Sequence, residues 1–533
     1  MPSPGSPGTD ASGASVPAPR STETTAPPGT STPENTLTPA TTTTAVTDAP
    51  HGTTPEPAPD RLTRQQFTVI ALLLTSAFVV ILNETTMGVA LPAVMDDFGI
   101  TESSGQWLTT GFLLTMAVVI PTTGWLLQRL GTRGAFILAM SLFSAGTLLA
   151  AIAPAFGVLV AARVVQATGT AIMMPLLMTT VMSTVPHHRR GRVMGNVSMV
   201  IAVAPALGPS MSGAVVTALG WREVFWVVLP IALLALTLGA LLVRDVADRA
   251  RNRLDPLSLV LSVGAFGGLV YGLSALGESA RHAMAVSPVV PIVAGAAFLA
   301  LFVWRQLVLQ RTDAALLDLR VFRAPGFTVG LAVMAVSMIA MFGMIIGLPL
   351  VLQRAMGLSP VTSGLLMLPG GLAMGVLGPV VGRLYDRLGP RPLVLPGVAA
   401  VGVSMVVFAT LTPTSAVWLV LVGHMVLSLG LAFIFTPTFT SALGGLVPSL
   451  YSHGSAAVAT VQQLAGAAGT ALFVALLTLR SVALLDDGAS QAQATAGGAQ
   501  LAFSVGGAVV VVALVLATRL RRTDAPDGAP AAH

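Results

Sequence analysis

The sequence predicts an all-α polytopic membrane protein whose fourteen transmembrane helices are arranged as six, two and six. Three observations predict it. Hydrophobic residues make up 54% of the chain and charged residues only 9%, against roughly 25% charged in a soluble domain. Fourteen apolar runs, each near the ~20 residues that a helix needs to cross a bilayer, fill the chain between residues 66 and 518. One thirteen-residue pattern also occurs twice, 258 positions apart, as it would in a chain built from two related halves.

The runs extend over 66–94, 105–127, 134–153, 156–183, 192–219, 222–243, 254–275, 286–308, 326–352, 361–382, 392–411, 415–441, 454–479 and 499–518. A Gly- and Pro-bearing stretch, Gly277 to Pro288, separates the seventh from the eighth. Residues 1–60 are Thr, Pro, Ala, Ser and Gly with few large apolar side chains. Such a segment buries too little surface to offset its ordering entropy, so a disordered tail is expected there. It has no apolar core behind basic residues, so it does not read as a secretory signal. Residues 523–533 read as a second tail.

Arginine placement tests the helix count. The chain has no lysine and no cysteine, and its 27 basic residues are all arginines. With the N-terminus inside, 21 of them fall in inner segments and four, Arg222, Arg281, Arg354 and Arg480, in outer ones. A wrong count would scramble that bias, so both termini are expected in the cytoplasm and the protein in the cell membrane. The high arginine content thus reads as topology, not as nucleic-acid binding. The missing lysine excludes a Walker A loop and so an ATPase. The missing cysteine excludes disulfides and thiolate metal sites.

In the repeated pattern Pro121, Gly124, Leu126, Arg129, Leu130, Gly131 and Arg133 recur as Pro379, Gly382, Leu384, Arg387, Leu388, Gly389 and Arg391. The copies fall between helices 2 and 3 and between helices 10 and 11. Helices 1–6 (residues 61–245) therefore correspond to helices 9–14 (325–522), with residues 246–324 carrying an inserted pair. The arginines of both copies, with Asp386, are candidates for charge-assisted bonds to helix ends that hold the inner face closed.

Glu84 is the one acidic residue midway along an apolar run, beside Asn83. A carboxylate in hydrocarbon is expensive, so Glu84 faces a cavity or carries a proton. It reads as a proton carrier, or else as a permanently hydrogen-bonded structural group. Arg163 is the only arginine deep in a run. It either neutralises Glu84 or a substrate group, or snorkels to the outer interface. His424 stands at the matching place in the second half and is either a titrating group or a satisfied structural donor. Helix 5 carries Pro205, Gly208, Pro209 and Gly213, which bend a helix and let backbones approach closely. Further candidates for a substrate cavity are Gln106, Trp107, Gln166, Gln353 and Gln462, with Met173 and Phe433 as a deformable apolar lining.

These residues resemble the major facilitator superfamily, and within it the fourteen-helix drug:proton antiporter family. Leu82 through Pro92 resembles the first-helix motif, Gly124 to Arg133 the loop signature, Arg163 through Gly169 the fourth-helix arginine motif, and Ala204 through Gly213 the helix-5 antiporter motif. The resemblance covers about residues 65 to 520. The family's usual first-helix Asp is Asn83 here, with Glu84 beside it, a form similar to the lincomycin-resistance branch. Adjacent residues on a helix point about 100° apart. The first loop has Gln128 where the superfamily has Asp; the second keeps Asp386.

The resemblance implies the major facilitator fold and proton-coupled efflux of small, largely apolar drugs by alternating access. Proton transfer would run through Glu84 and Arg163. An exporter or importer of an endogenous metabolite, or a non-transporting membrane scaffold, stays open as an alternative. No polar rings mark a channel, and no metal cluster, nucleophile arrangement or nucleotide loop marks an enzyme. No cofactor is expected. Expected partners are a small molecule, protons and the lipid bilayer, with a monomer as the working unit.

Overall fold

In hydrocarbon every backbone N–H and C=O must be satisfied within the segment, so a chain this apolar folds as helices. A computed structural model describes residues 63–245, 254–279 and 287–520. The two expected tails, 1–60 and 523–533, lie outside the described residues. Among the described residues thirteen helices are long and apolar enough to cross a membrane, and one of them, Trp107–Ala151, is 45 residues long. At ~1.5 Å per residue it would span more than twice a hydrocarbon core of ~30 Å. It breaks at Gly131, where φ is 71° and ψ 177°. It is therefore two spans, which makes fourteen among the described residues.

The spans are α1 (Arg64–Phe98), α2 (107–130), α3 (132–151), α4 (Phe156–Thr184), α5 (Arg190–Ala218), α6 (Trp221–Leu242) and α7 (Pro256–Leu276). They continue with α8 (Val289–Leu309), α9 (Pro325–Leu350), α10 (Pro360–Leu388), α11 (Arg391–Ala409), α12 (Val417–Gly444), α13 (Tyr451–Asp486) and α14 (Gln491–Ala517). Side chains close several helix starts. Thr63 with Gln66 and Ser490 with Gln493 form capping boxes, each satisfying N–H groups that have no partner inside the helix. Asp255 caps α7 through the Ser258 N–H. The Arg305 guanidinium, bonded to the same carboxylate at 3.0 Å, holds Asp255 down to about 2 against the cost of its burial.

Each contact within the first six helices recurs eight helices later. α1 packs on α4, α5 and α6, as α9 packs on α12, α13 and α14. α4 packs on α2 and α3, as α12 packs on α10 and α11, and α3–α6 matches α11–α14. The halves meet along two seams, α5 against α10 and α13 against α2, and the same correspondence exchanges the two. The inserted pair lies on one seam only. α7 packs on both α2 and α13, and α8 packs on α7.

The repeated turn has the same backbone in both copies. Gly389 has φ 78° and ψ −174°, matching Gly131. That region is essentially reserved for glycine, and another residue there costs on the order of 1–3 kcal/mol. A glycine repeated at this turn is a conformational requirement that the sequence shows directly.

Candidate functional site

Glu84 lies mid-way along α1, half-buried, and makes no hydrogen bond among the described residues. Its charge and that of Arg163 act on one another, with no ion pair between them. Arg163 is only 2% exposed, so it does not reach out to a helix end. Its Nη1 donates to Gln166 Oε1 at 2.6 Å, and Gln166 Nε2 donates to Thr147 Oγ1 at 2.7 Å. The guanidinium carbon lies 4.0 Å from the centre of the Phe112 ring, a cation–π distance. Three helices thus hold the arginine: α4 through Gln166, α3 through Thr147 and α2 through Phe112.

Asn83 is fully buried, and neither atom of its side-chain amide has a partner. An unmade bond at a buried polar group costs about 1–3 kcal/mol. On the next turn of α1, Thr85 and Thr86 turn their hydroxyls onto the Leu82 and Asn83 carbonyls at 2.9 and 2.8 Å. This stretch is where α5 packs. A Cβ at Gly208 would fall 2.0 Å from Thr85 Oγ1, and Ser212 Oγ donates to the Thr86 carbonyl at 2.8 Å. Pro205 and Pro209 sit inside an unbroken α5, and each removes a backbone donor from it. Gly213 has open space, with Val89 nearest at 3.8 Å. Of Pro205, Gly208, Pro209 and Gly213, only Gly208 is demanded by contact.

The turns of both repeat copies lie at one end of the molecule, here called the loop face. There the repeated glycines stand on the two seams. A Cβ at Gly382 would lie 2.1 Å from the Gly191 carbonyl oxygen, and one at Gly124 would lie 2.7 Å from His453 Nδ1. Gly195 and Gly378 approach each other's carbonyls as closely, so α5 and α10 touch backbone to backbone. Asp386 accepts the Gly191 and Arg192 N–H groups at 2.8 and 3.0 Å. These are unpaired donors at the start of α5, where a negative charge is favoured. Gln128, at the matching place, donates through Nε2 to the Ser449 carbonyl at 3.2 Å, just ahead of α13.

The loop arginines act differently from Asp386. Arg133 Nη2 donates to the Ala240 carbonyl at 2.8 Å, in the last turn of α6, so it caps a helix of its own half. Arg129, Arg387 and Arg391 are exposed. Arg190 caps α4 through the Met182 and Val185 carbonyls and reaches over to lie 5.4 Å from the Tyr451 ring centre of α13.

The expected cavity residues do not gather in one place. Gln166 joins Arg163, and Met173 is wholly buried in the core. Trp107 is 46% exposed and stacks on Tyr271 of α7 at 6.4 Å. Gln106 stands just ahead of it, partly exposed, at the start of α2. Gln353 is exposed in the π turn that follows α9. Gln462 is half-buried on α13, and Phe433 packs on Gly397 of α11. His424 is buried with Nδ1 unpartnered, close to where a side chain on Gly370 would sit. Sequence reasoning missed Thr147, Phe112 and His453. Thr147 and Phe112 are ordinary residues of apolar runs and carried no signal. His453 stands directly before Gly454 at a helix start, and only its opposition to Gly124 distinguishes it.

A profile of the Major Facilitator Superfamily matches residues 73–470. The chain is 36% identical over 467 residues to a lincomycin resistance protein, LmrB, of Bacillus subtilis, covering 86% of this chain and 97% of the relative. It is 37% identical to a protein of the same name from Listeria monocytogenes, covering 78% and 88%. It is 31% identical to a multidrug resistance protein B homolog of Mycobacterium tuberculosis, covering 79% and 78%. Its fold is similar to that of the human organic anion transporter MFSD10, with a TM-score of 0.63 at 15% identity, covering 85% of this chain and 99% of that one. A profile match over most of the chain, relatives matched over most of their own length, and halves that repeat contact for contact agree on one assignment: this multi-pass membrane protein belongs to the major facilitator superfamily.

Proposed function

We propose that the protein exports small, largely apolar drugs or antibiotics across the cell membrane in exchange for protons, by alternating access. Relatives named for lincomycin and multidrug resistance cover most of the chain, which supports the substrate class. The observation that carries the coupling is Glu84, a mid-span carboxyl that makes no hydrogen bond among the described residues while the charge of buried Arg163 acts on it. In this reading the carboxyl is free to take up and release a proton, while Gln166, Thr147 and Phe112 keep the guanidinium from closing on it. Residues 61–245 and 325–522 are the bundles that rock, and 246–324 carries the inserted pair. Both termini are cytoplasmic, so the loop face is the inner face, and a monomer is the working unit.

The test is efflux into inverted vesicles with an imposed proton gradient, wild type against Glu84→Gln. A fluorescent lipophilic cation and a lincosamide serve as cargoes. Wild type is expected to accumulate cargo only with the gradient, and the variant to lose at least ~90% of that accumulation, about 1.4 kcal/mol of coupling, while still binding cargo. Equal accumulation by the variant would remove Glu84 from the coupling step. Accumulation that ignores the gradient would remove proton coupling itself.

A further inference from the structure

The inserted pair is a closely packed hairpin. Gly264, Gly268 and Gly272 of α7 all face α8: a Cβ added to each would fall 2.6 Å from the Phe298 ring, 3.0 Å from Gly295 Cα and 2.6 Å from Ile292. Small residues let helix backbones approach in this way. At the loop face the two helices are also bonded. Arg305 of α8 holds the Asp255 carboxylate, and Gln306 Nε2 donates to Ser258 Oγ at 2.8 Å. Gln306 and Ser258 are fully buried.

Residues 310–324, which join α8 to α9, tie this hairpin to the second half. On the hairpin side the Leu316 and Leu317 N–H groups donate to Gln306 Oε1 at 2.8 and 3.2 Å. On the other side the Asp318 N–H donates to His453 Nδ1 of α13 at 3.3 Å, and Thr328 Oγ1 of α9 donates to the Phe322 carbonyl at 2.7 Å. The Phe322 and Phe327 rings meet edge to face at 5.6 Å. Arg320 fixes the shape of the segment by binding the Asp318 carboxylate through Nε and Nη2. Gln306, Asp318 and His453 are no more than 5% exposed. Water therefore cannot readily replace these bonds, and breaking one strands a buried polar group.

The first half meets the same pieces more loosely. α7 turns Gly267 towards α2, and even an added Cβ there would stay 3.5 Å from Val118 and 3.8 Å from Leu114. At the far end Trp107 of α2 meets Tyr271 of α7 ring against ring. At the loop face the segment and the first half stand on opposite sides of a cavity of about 620 Å³, with Gln128 and Ser183 on one wall and Asp318 and Arg320 on the other. Apolar surfaces can shift along one another without stranding a polar group, which the buried bonds to α13 cannot do.

We propose that residues 310–324 are a strap that makes the inserted pair a moving part of the second half. When the halves part at the loop face, α7 and α8 travel with α13 and slip along α2. The motion rests on the alternating-access reading above; its direction rests on the bonds of the strap. The pair then keeps the α2–α13 seam covered while that seam opens.

The test places spin labels on cysteines, of which the chain has none of its own, in the full chain in lipid nanodiscs. Leu241→Cys on α6, Val308→Cys on α8 and Thr518→Cys after α14 are exposed positions at helix ends of the loop face, and they are combined in pairs. Double electron–electron resonance reads the three distances at acidic and alkaline pH, with and without Asp386→Ala, which unties the α5–α10 seam. Where the halves part, Leu241–Thr518 and Leu241–Val308 are expected to lengthen together by several ångströms while Val308–Thr518 holds. If Val308–Thr518 lengthens and Leu241–Val308 holds, the pair rides with the first half and the strap proposal falls, with alternating access intact. If no distance changes under any of these conditions, alternating access itself fails. Gln306→Leu and the milder Thr328→Val then untie the strap at its two ends. Both should broaden the Val308–Thr518 distribution by several ångströms, with the Leu241–Thr518 width unchanged as the sign of an intact fold. No broadening in either variant overturns the strap, since packing of α7 alone would then hold the pair.

Discussion

At the loop face Asp386 accepts the Gly191 and Arg192 N–H groups at the start of α5, whereas Gln128 donates one amide hydrogen to the Ser449 carbonyl before α13. The two residues hold matching positions in the repeat, and their targets lie at matching helices. What differs is charge. A hydrogen bond to a charged group contributes about 1.5–3 kcal/mol, and a neutral one about 0.5–1.5 kcal/mol. Two charged bonds at a helix start therefore outweigh one neutral bond to a carbonyl. The two seams are therefore bonded unequally at the loop face, and the α5–α10 seam carries the stronger pair of bonds.

The largest effect is expected where no latch chemistry is involved. In Gly382→Val the new side chain meets backbone, with the Gly191 carbonyl 2.1 Å from its Cβ. Overpacking of that kind costs about 1–3 kcal/mol, so transport should fall roughly ten- to a hundredfold. Gly124→Ala meets mainly the His453 ring, which can shift, and should lose less. If the two glycine variants lose transport equally, the α5–α10 seam is not the tighter one.

Asp386→Ala comes next. It leaves two helix-start donors to water, and an opening of the loop face by about tenfold is expected from the lower of the charged-bond values. The absence of native cysteine makes this measurable, as the rate at which a maleimide labels a single Thr179→Cys on the wall of a cavity of about 620 Å³ at the loop face. Gln128→Ala should raise the same rate only about twofold to fivefold, from the lower half of the neutral-bond range. Matching rates for the two variants would break the comparison. A larger rate for Gln128→Ala would reverse it.

The fold was legible because hydrocarbon leaves a chain few choices. Apolar runs of spanning length, arginines on alternate sides and one repeated turn define fourteen helices in two related sets. The repeat marked Gly131 and Gly389, and the structure places both in a backbone region that other residues avoid. Side-chain partners were less legible. The loop arginines and Asp386 were read as candidates for bonds to helix ends; Arg133 caps the end of α6 within its own half, and Asp386 bonds the start of α5 across the seam. Arg163 was visible as an isolated charge, while Thr147 and Phe112, which hold it, were not. An isolated charge announces itself by its cost, and its partners are set by how helices cross, which a linear pattern does not contain. His453 was silent for the same reason.

The inserted pair has a further consequence through where it lies. α7 covers the α2–α13 seam, and among the described residues no additional helix covers the α5–α10 seam. A lipid-dissolved molecule moving sideways out of the bilayer therefore meets a doubled wall on one flank and a single, glycine-lined wall on the other. Any lateral door for oily cargo would be one-sided, on the flank whose seam Asp386 bonds.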